Sequence, residues 1–147
     1  MPKFNTTKTQ QLSQHFSLRE MTKTSQKDFL AENIILANQY IFELSALCNY
    51  ALEPARAVIG RPLIITSAYR SPKLNAALGG AENSQHLKGQ AADFIVKDLS
   101  AKEVWQKLKS SPFLRYGQLL YEGGWVHISL GAPWRPLAKC QQAFEVL

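Results

Sequence analysis

The apolar positions change their period along the chain, and the changes mark out its elements. Between Ala31 and about Leu52 they recur at Ile34, Ala37, Ile41, Leu44, Cys48 and Ala51. Steps of three or four residues predict one long helix with that stripe facing the core. Ahead of it, Ser17 and Glu20 in "HFSLREM" have the spacing of a capping box and predict a short helical turn. Residues 1 to 15 are polar, rich in Thr, Gln and Lys, and read as a flexible leader, with residues 16 to 147 as a single domain. Pro54 suits the first turn of a further helix, "PARAVIG", which Gly60 would close.

Past Gly60 the segments shorten and β-branched residues enter. Leu63 to Thr66 reads as a buried strand, and "SPKLNAALGG" as a short helix started by Ser71 and Pro72 and stopped by Gly79 and Gly80. A strand follows in "QAADFIV". Ser100 and Glu103 then form a capping box for a surface helix that ends near Pro112. In "GQLLYEGGWVHISL" two apolar runs flank Glu122-Gly123-Gly124, a hairpin signal. Alternation along the second run sends Trp125, His127 and Ser129 to one face and Val126, Ile128 and Leu130 to the other. The aliphatic set belongs in the core, which leaves His127 facing a cleft. Helices first, then strands mixed with short helices, predict an α+β domain: an antiparallel sheet with helices packed on one side.

Composition narrows the function classes. Of 147 residues, 46% are apolar, as in an ordered globular domain able to bury a core. No apolar run approaches the roughly 18 residues of a membrane span. The stretch "MPKFNTTKTQQLSQHF" has a lysine but no apolar h-region, so the expectation is synthesis in the cytoplasm without a signal peptide, and no membrane insertion. Of the two cysteines, Cys48 lies on the apolar stripe as a buried thiol, and its pairing with Cys140 stays open. The net charge of +6 comes from scattered Lys and Arg without interleaved aromatics, which argues against nucleic acid and fits an anionic polymer such as a bacterial cell wall.

The chemistry concentrates in His86, Asp93 and His127. Two imidazoles and a carboxylate make a three-ligand set for zinc with a fourth position left for water, as in catalytic sites, and no CxxC pair points to a structural one. On the residues alone, a solvated loop histidine and an aspartate paired with a lysine are equally ordinary readings. His15 lies apart and takes no role.

The wider pattern resembles the M15 peptidases, the zinc D-Ala-D-Ala carboxypeptidases and murein endopeptidases. The stretch "ITSAYRSPKLNAALGGAENSQHLKGQAADF" carries the family's S-x-H-x-x-G-x-A-x-D motif as Ser84, His86, Gly89, Ala91 and Asp93, and "LLYEGGWVHISL" carries its W-x-H strand as Trp125 and His127. Together they cover roughly the C-terminal two-thirds of the chain. The resemblance implies a fold of the Hedgehog/D-Ala-D-Ala-peptidase type, His86, Asp93 and His127 as zinc ligands, and metal-assisted amide hydrolysis with a general base. Gly89 would let the backbone turn sharply, and Ala91 and Ala92 keep bulk away while the strand delivers Asp93 beside His86.

The base is where the chain departs from the family. Better-known members carry an acidic residue three positions before the second histidine, where this sequence has Gly124. Glu122, at the mouth of the turn, is the candidate that replaces it; Glu82 is the fallback, and a solvated hairpin glutamate is the bland alternative. By the same resemblance Arg70 binds substrate, suited to a terminal carboxylate or a peptide carbonyl. Ser84 contacts the peptide or caps its loop. Tyr69 and Trp125 line the cleft or simply pack.

The implied function is a zinc peptidase acting on peptidoglycan stem peptides at bonds involving D-amino acids, reaching the wall after holin-type release or as part of a phage particle, and working as a monomer. Two alternatives stand beside it. One is a zinc-binding cell-wall-binding or phage structural module that has lost hydrolysis through Gly124; the other is a cytoplasmic D,D-dipeptidase.

Overall fold

Capping chemistry starts the helices where the sequence places it. In the computed structural model, which describes residues 10–130 and 142–145, α1 (Leu18–Thr22) and α6 (Ala101–Lys109) each open on a complete capping box, Ser17 with Glu20 and Ser100 with Glu103. Ser71 caps α5 (Pro72–Ala77), with Pro72 in its first turn.

The long helix expected over residues 31–52 is divided. Helix α2 (Leu30–Ala37) tightens into a 3₁₀ turn at Asn38–Tyr40, and α3 (Ile41–Leu47) follows. Helix α3 then runs through a π turn, Cys48–Leu52, into α4 (Glu53–Ile59), which ends on Gly60 at φ +75°. Pro54 explains the π turn. It has no N–H for the carbonyl one turn back and its ring crowds that turn, so the helix widens just before it. Ala37, Leu44, Cys48 and Ala51 are buried as the stripe requires, but Ile34 is 40% exposed and its neighbour Asn33 is 0% exposed. Among the described residues Cys48 has no disulfide partner, and its thiol is pushed up to about 12 by burial first and then by the nearby charges of Glu53 and Glu20. Its suggested partner, Cys140, lies outside the described residues.

Five strands form one sheet in the order β1-β2-β4-β3-β5: β1 (Ile64–Ser67), β2 (Ala91–Ile95), β3 (Gln118–Tyr121), β4 (Val126–Ser129) and β5 (Gln142–Glu145). The first four pair antiparallel, giving the expected α+β architecture. Strand β5, which the sequence did not signal, adds a parallel edge against β3. Strand β1 is half-buried rather than fully buried, since it forms the other edge and leaves Ile64 exposed.

One face of the sheet carries Ile65, Ala92, Phe94, Leu119, Val126 and Ile128, which join the buried side chains of α3, the π turn, α4 and α6 in a single core. Trp105 of α6 anchors that layer by donating its indole N–H to the Leu119 carbonyl at 3.1 Å. Strand alternation turns Asp93, His127 and Ser129 to the opposite face.

The packed chain begins before residue 16. Within the expected leader, Leu12 is buried in the core, and Glu53 holds the segment by accepting from the Ser13 hydroxyl (2.9 Å), the His15 backbone N–H (2.6 Å) and His15 Nδ1 (2.7 Å). The polar composition hid one apolar anchor and one carboxylate that accepts three hydrogen bonds. No helix among the described residues is long and apolar enough to cross a membrane.

Candidate metal centre

Three local structures deliver His86, Asp93 and His127. Asp93 and His127 are direct partners across the β2–β4 ladder. His86 sits in a 3₁₀ turn, Gln85–Lys88, capped by the Ser84 hydroxyl, which accepts from the His86 N–H at 3.2 Å. Gly89 ends that turn at φ +65°. A Cβ there would meet Leu44 Cγ at 2.9 Å and Tyr40 Cβ at 3.2 Å, so the position needs glycine for conformation and for space. The chain then enters β2 through Ala91 and Ala92, both fully buried.

All three side chains are nearly sealed from solvent, at 4%, 5% and 8% exposure for His86, Asp93 and His127. Strand β4 is buried along its whole length, which is why. His127 Nδ1 lies 2.9 Å from Asp93 Oδ1, and His86 Nε2 lies 3.4 Å from the same oxygen. The ligand atoms all fall within 4.8 Å of one another. The Ala68 carbonyl accepts from His86 Nδ1 at 2.7 Å. A carbonyl can only accept, so Nδ1 donates to it and the ring is held with Nε2 facing the centre.

Asp93 is shared. Its Oδ1 faces the imidazoles while Oδ2 accepts from Arg70 Nη2 at 3.3 Å. Burial by itself raises the Asp93 carboxyl, but hydrogen bonds from His127 and His86 and their charge outweigh it and hold the group well below the usual carboxylate range. A buried carboxylate between two imidazole nitrogens is the donor set of a zinc site. Bonds of about 2.0–2.2 Å in a tetrahedral shell set such donors about 3.3–3.6 Å apart; of the two spacings on Asp93 Oδ1, the 3.4 Å one to His86 matches and the 2.9 Å one to His127 is that of a hydrogen bond.

Arg70 Nε donates to Ser67 Oγ at 2.9 Å, Nη1 to Asn75 Oδ1 at 3.5 Å and Nη2 to Asp93. Those three bonds engage three of its five N–H donors. Glu122 lies outside this cluster at the hairpin mouth, where its N–H donates to the Trp125 carbonyl at 3.1 Å and Gly123 takes φ +84°. Leu120 stands opposite His127, so continued alternation puts Glu122 on the His127 side of the hairpin. Trp125 is 39% exposed at the same turn. Glu82 is exposed in the loop before His86.

Tyr69 does not line a cleft. It is 2% exposed, packs against Tyr40 with ring centroids 5.6 Å apart, and burial pushes its hydroxyl up to about 12. The packing reading therefore holds for this residue. Sequence reasoning missed Asn33 and Asn75, two buried amides on the Arg70 side of the centre. A polar residue on an otherwise apolar helix face was the available signal for Asn33.

No curated protein matches the chain. The family model described as Peptidase M15 matches residues 14–129, which include every ligand candidate, Arg70 and Glu122. The match covers most of the chain and both of its motifs, so this protein belongs to the M15 peptidase family.

Proposed function

We propose that this protein is a zinc-dependent peptidase that cleaves peptidoglycan stem peptides or cross-links at bonds involving D-amino acids. The observation that carries the reading is the convergence of His86 Nε2, Asp93 Oδ1 and His127 Nδ1 on one buried point. These three atoms would hold the ion. Bound zinc lowers the pKa of a coordinated water to about 7 and polarises a scissile carbonyl.

The chain's own groups do the rest. Glu122, on the His127 side of the hairpin, takes the proton of the attacking water and returns it to the leaving amine. Arg70, fixed by Ser67, Asn75 and Asp93, directs its remaining N–H groups at a substrate carbonyl or terminal carboxylate. Ser84 caps the His86 turn, and Trp125 offers an exposed aromatic wall beside the hairpin. The +6 net charge favours an anionic wall as the surface to which the protein is drawn. Release through a phage-type membrane pore, or carriage on a phage particle, is the proposed route to that wall.

A second reading rests on Gly124. If Glu122 does not serve as base, the same centre becomes a metal-binding wall module without turnover. Incubation of zinc-loaded protein with purified sacculi and, separately, with free D-Ala-D-Ala tests both readings. Shortened or uncross-linked muropeptides in mass spectra support the wall peptidase. Cleavage of the dipeptide alone would make it a D,D-dipeptidase, and no product from either would leave the binding module.

A further inference from the structure

Asn33 is an anomaly of α2. It sits among Leu30, Ile34, Ile35 and Leu36, yet it is the side chain that is wholly buried. Burying a carboxamide costs stability unless its hydrogen bonds are made. Asn33 makes them far from its own helix. Its Nδ2 donates to the Thr22 carbonyl at 2.8 Å and to the Tyr69 carbonyl at 3.1 Å, and its Oδ1 accepts from the Ser71 N–H at 2.7 Å. The last two belong to the peptide groups on either side of Arg70.

The neighbouring peptides are tied in the same way. The Tyr69 N–H donates to the Met21 carbonyl at 2.8 Å, while the other end of that peptide, the Ala68 carbonyl, accepts from His86 Nδ1. The Arg70 N–H donates to the His86 carbonyl at 3.1 Å. Three successive peptide groups, 68–69, 69–70 and 70–71, are thus fixed between the α1–α2 pair and the His86 turn. From that segment leave the two contacts that orient ligands: the Ala68 carbonyl to His86 and the Arg70 guanidinium to Asp93.

We propose that Asn33 is a positioning residue for the metal centre: by clamping both peptide groups that flank Arg70, it sets how His86 and Asp93 present their ligand atoms. The inference rests on reading His86, Asp93 and His127 as a metal site. Partners that hydrogen-bond a ligand from behind typically change metal affinity 10- to 100-fold when altered, and Asn33 acts through the segment that carries two of them, the Ala68 carbonyl and Arg70.

Cobalt(II) titration of the whole chain, followed by its visible d–d absorption at a temperature where each protein has native circular dichroism, tests this. Wild type should bind one Co2+. Asn33→Leu, which removes all three bonds at similar size, should weaken binding about 10- to 100-fold and alter the band. Leu108→Ala, a core truncation in α6, should lower the melting temperature but leave affinity and band unchanged. Should Asn33→Leu not fold, Asn33→Asp keeps the size and the acceptor for Ser71, loses the amide donors, and should give the same weakening. Wild-type affinity and spectrum in a folded Asn33 variant would overturn the proposal alone. A wild type that binds no Co2+ would overturn the metal reading and this inference with it.

Discussion

His127 and Asp93 stand directly opposite each other on β4 and β2, with His127 Nδ1 2.9 Å from Asp93 Oδ1. Two of the three candidate ligands are thus set by strand register. A slip of one residue between these strands would turn one of the two to the core face. The register is protected from the other side, where Phe94 pairs with Val126 and Ala92 with Ile128 in the buried core. The same alternation that packs the domain therefore assembles its chemistry.

Because a ligand that binds only the folded state stabilises it by mass action, chelation should lower the thermal midpoint and zinc should restore it. Free zinc at a hundredfold excess over its Kd contributes about 2.7 kcal/mol, or roughly 5–10 °C for a chain of this size. The apo protein should remain folded, since the core is built without the ligands. His127→Ala should melt at the same temperature with or without zinc; a restored shift in that variant would place the ion elsewhere.

Glu122→Gln keeps size and removes the base. Turnover should fall by about two to four powers of ten, with zinc content unchanged by elemental analysis. Glu82→Gln, an exposed position, should leave turnover at the wild-type level. A Glu122→Gln enzyme with undiminished turnover would remove Glu122 from the mechanism.

Gly89→Ala should destabilise the fold by about 2–4 kcal/mol, from the left-handed backbone and from overpacking on Leu44 and Tyr40. Urea unfolding of the apo protein measures this apart from metal. A loss under about 0.5 kcal/mol would mean that the turn relaxes without strain.

Acid should release the N-terminal segment. Burial alone raises the Glu53 carboxyl, but hydrogen bonds from the His15 ring, the His15 backbone and Ser13, together with the His15 charge, lower it on balance. A depressed carboxylate contributes stability above its unfolded pKa and loses it as pH falls through the folded value. Wild type should thus lose its advantage over Glu53→Gln progressively below about pH 5. Stability differences between the two proteins that stay constant from pH 7 to pH 3 would mean that the Glu53 carboxylate does not hold the segment.

The centre was legible through the resemblance of its two motifs, since on the residues alone His86 and Asp93 read as readily as a solvated loop histidine and a lysine-paired aspartate. The Ser84-x-His86 cap, the turn at Gly89 and the period-two placement of His127 opposite Val126 and Ile128 all follow from short-range rules. What the sequence hid was long-range. Asn33 meets Tyr69 and Ser71 across 36 and 38 residues, and nothing near Asn33 announces them. Leu12 and Glu53 tie down a stretch whose composition reads as a leader. Helical periodicity also ran on through Tyr40 and Cys48, because a 3₁₀ or π turn shifts the stripe by only a fraction of a turn. Ile34 fell on the wrong side of that shift.

Whether zinc at this centre does the hydrolysis is decided by digestion of purified sacculi with chelated protein, before and after return of one equivalent of zinc, beside His127→Ala treated identically. New muropeptides should appear only in the zinc-restored wild type. Equal product from the chelated protein, or from His127→Ala, would contradict a catalytic zinc centre at His86, Asp93 and His127.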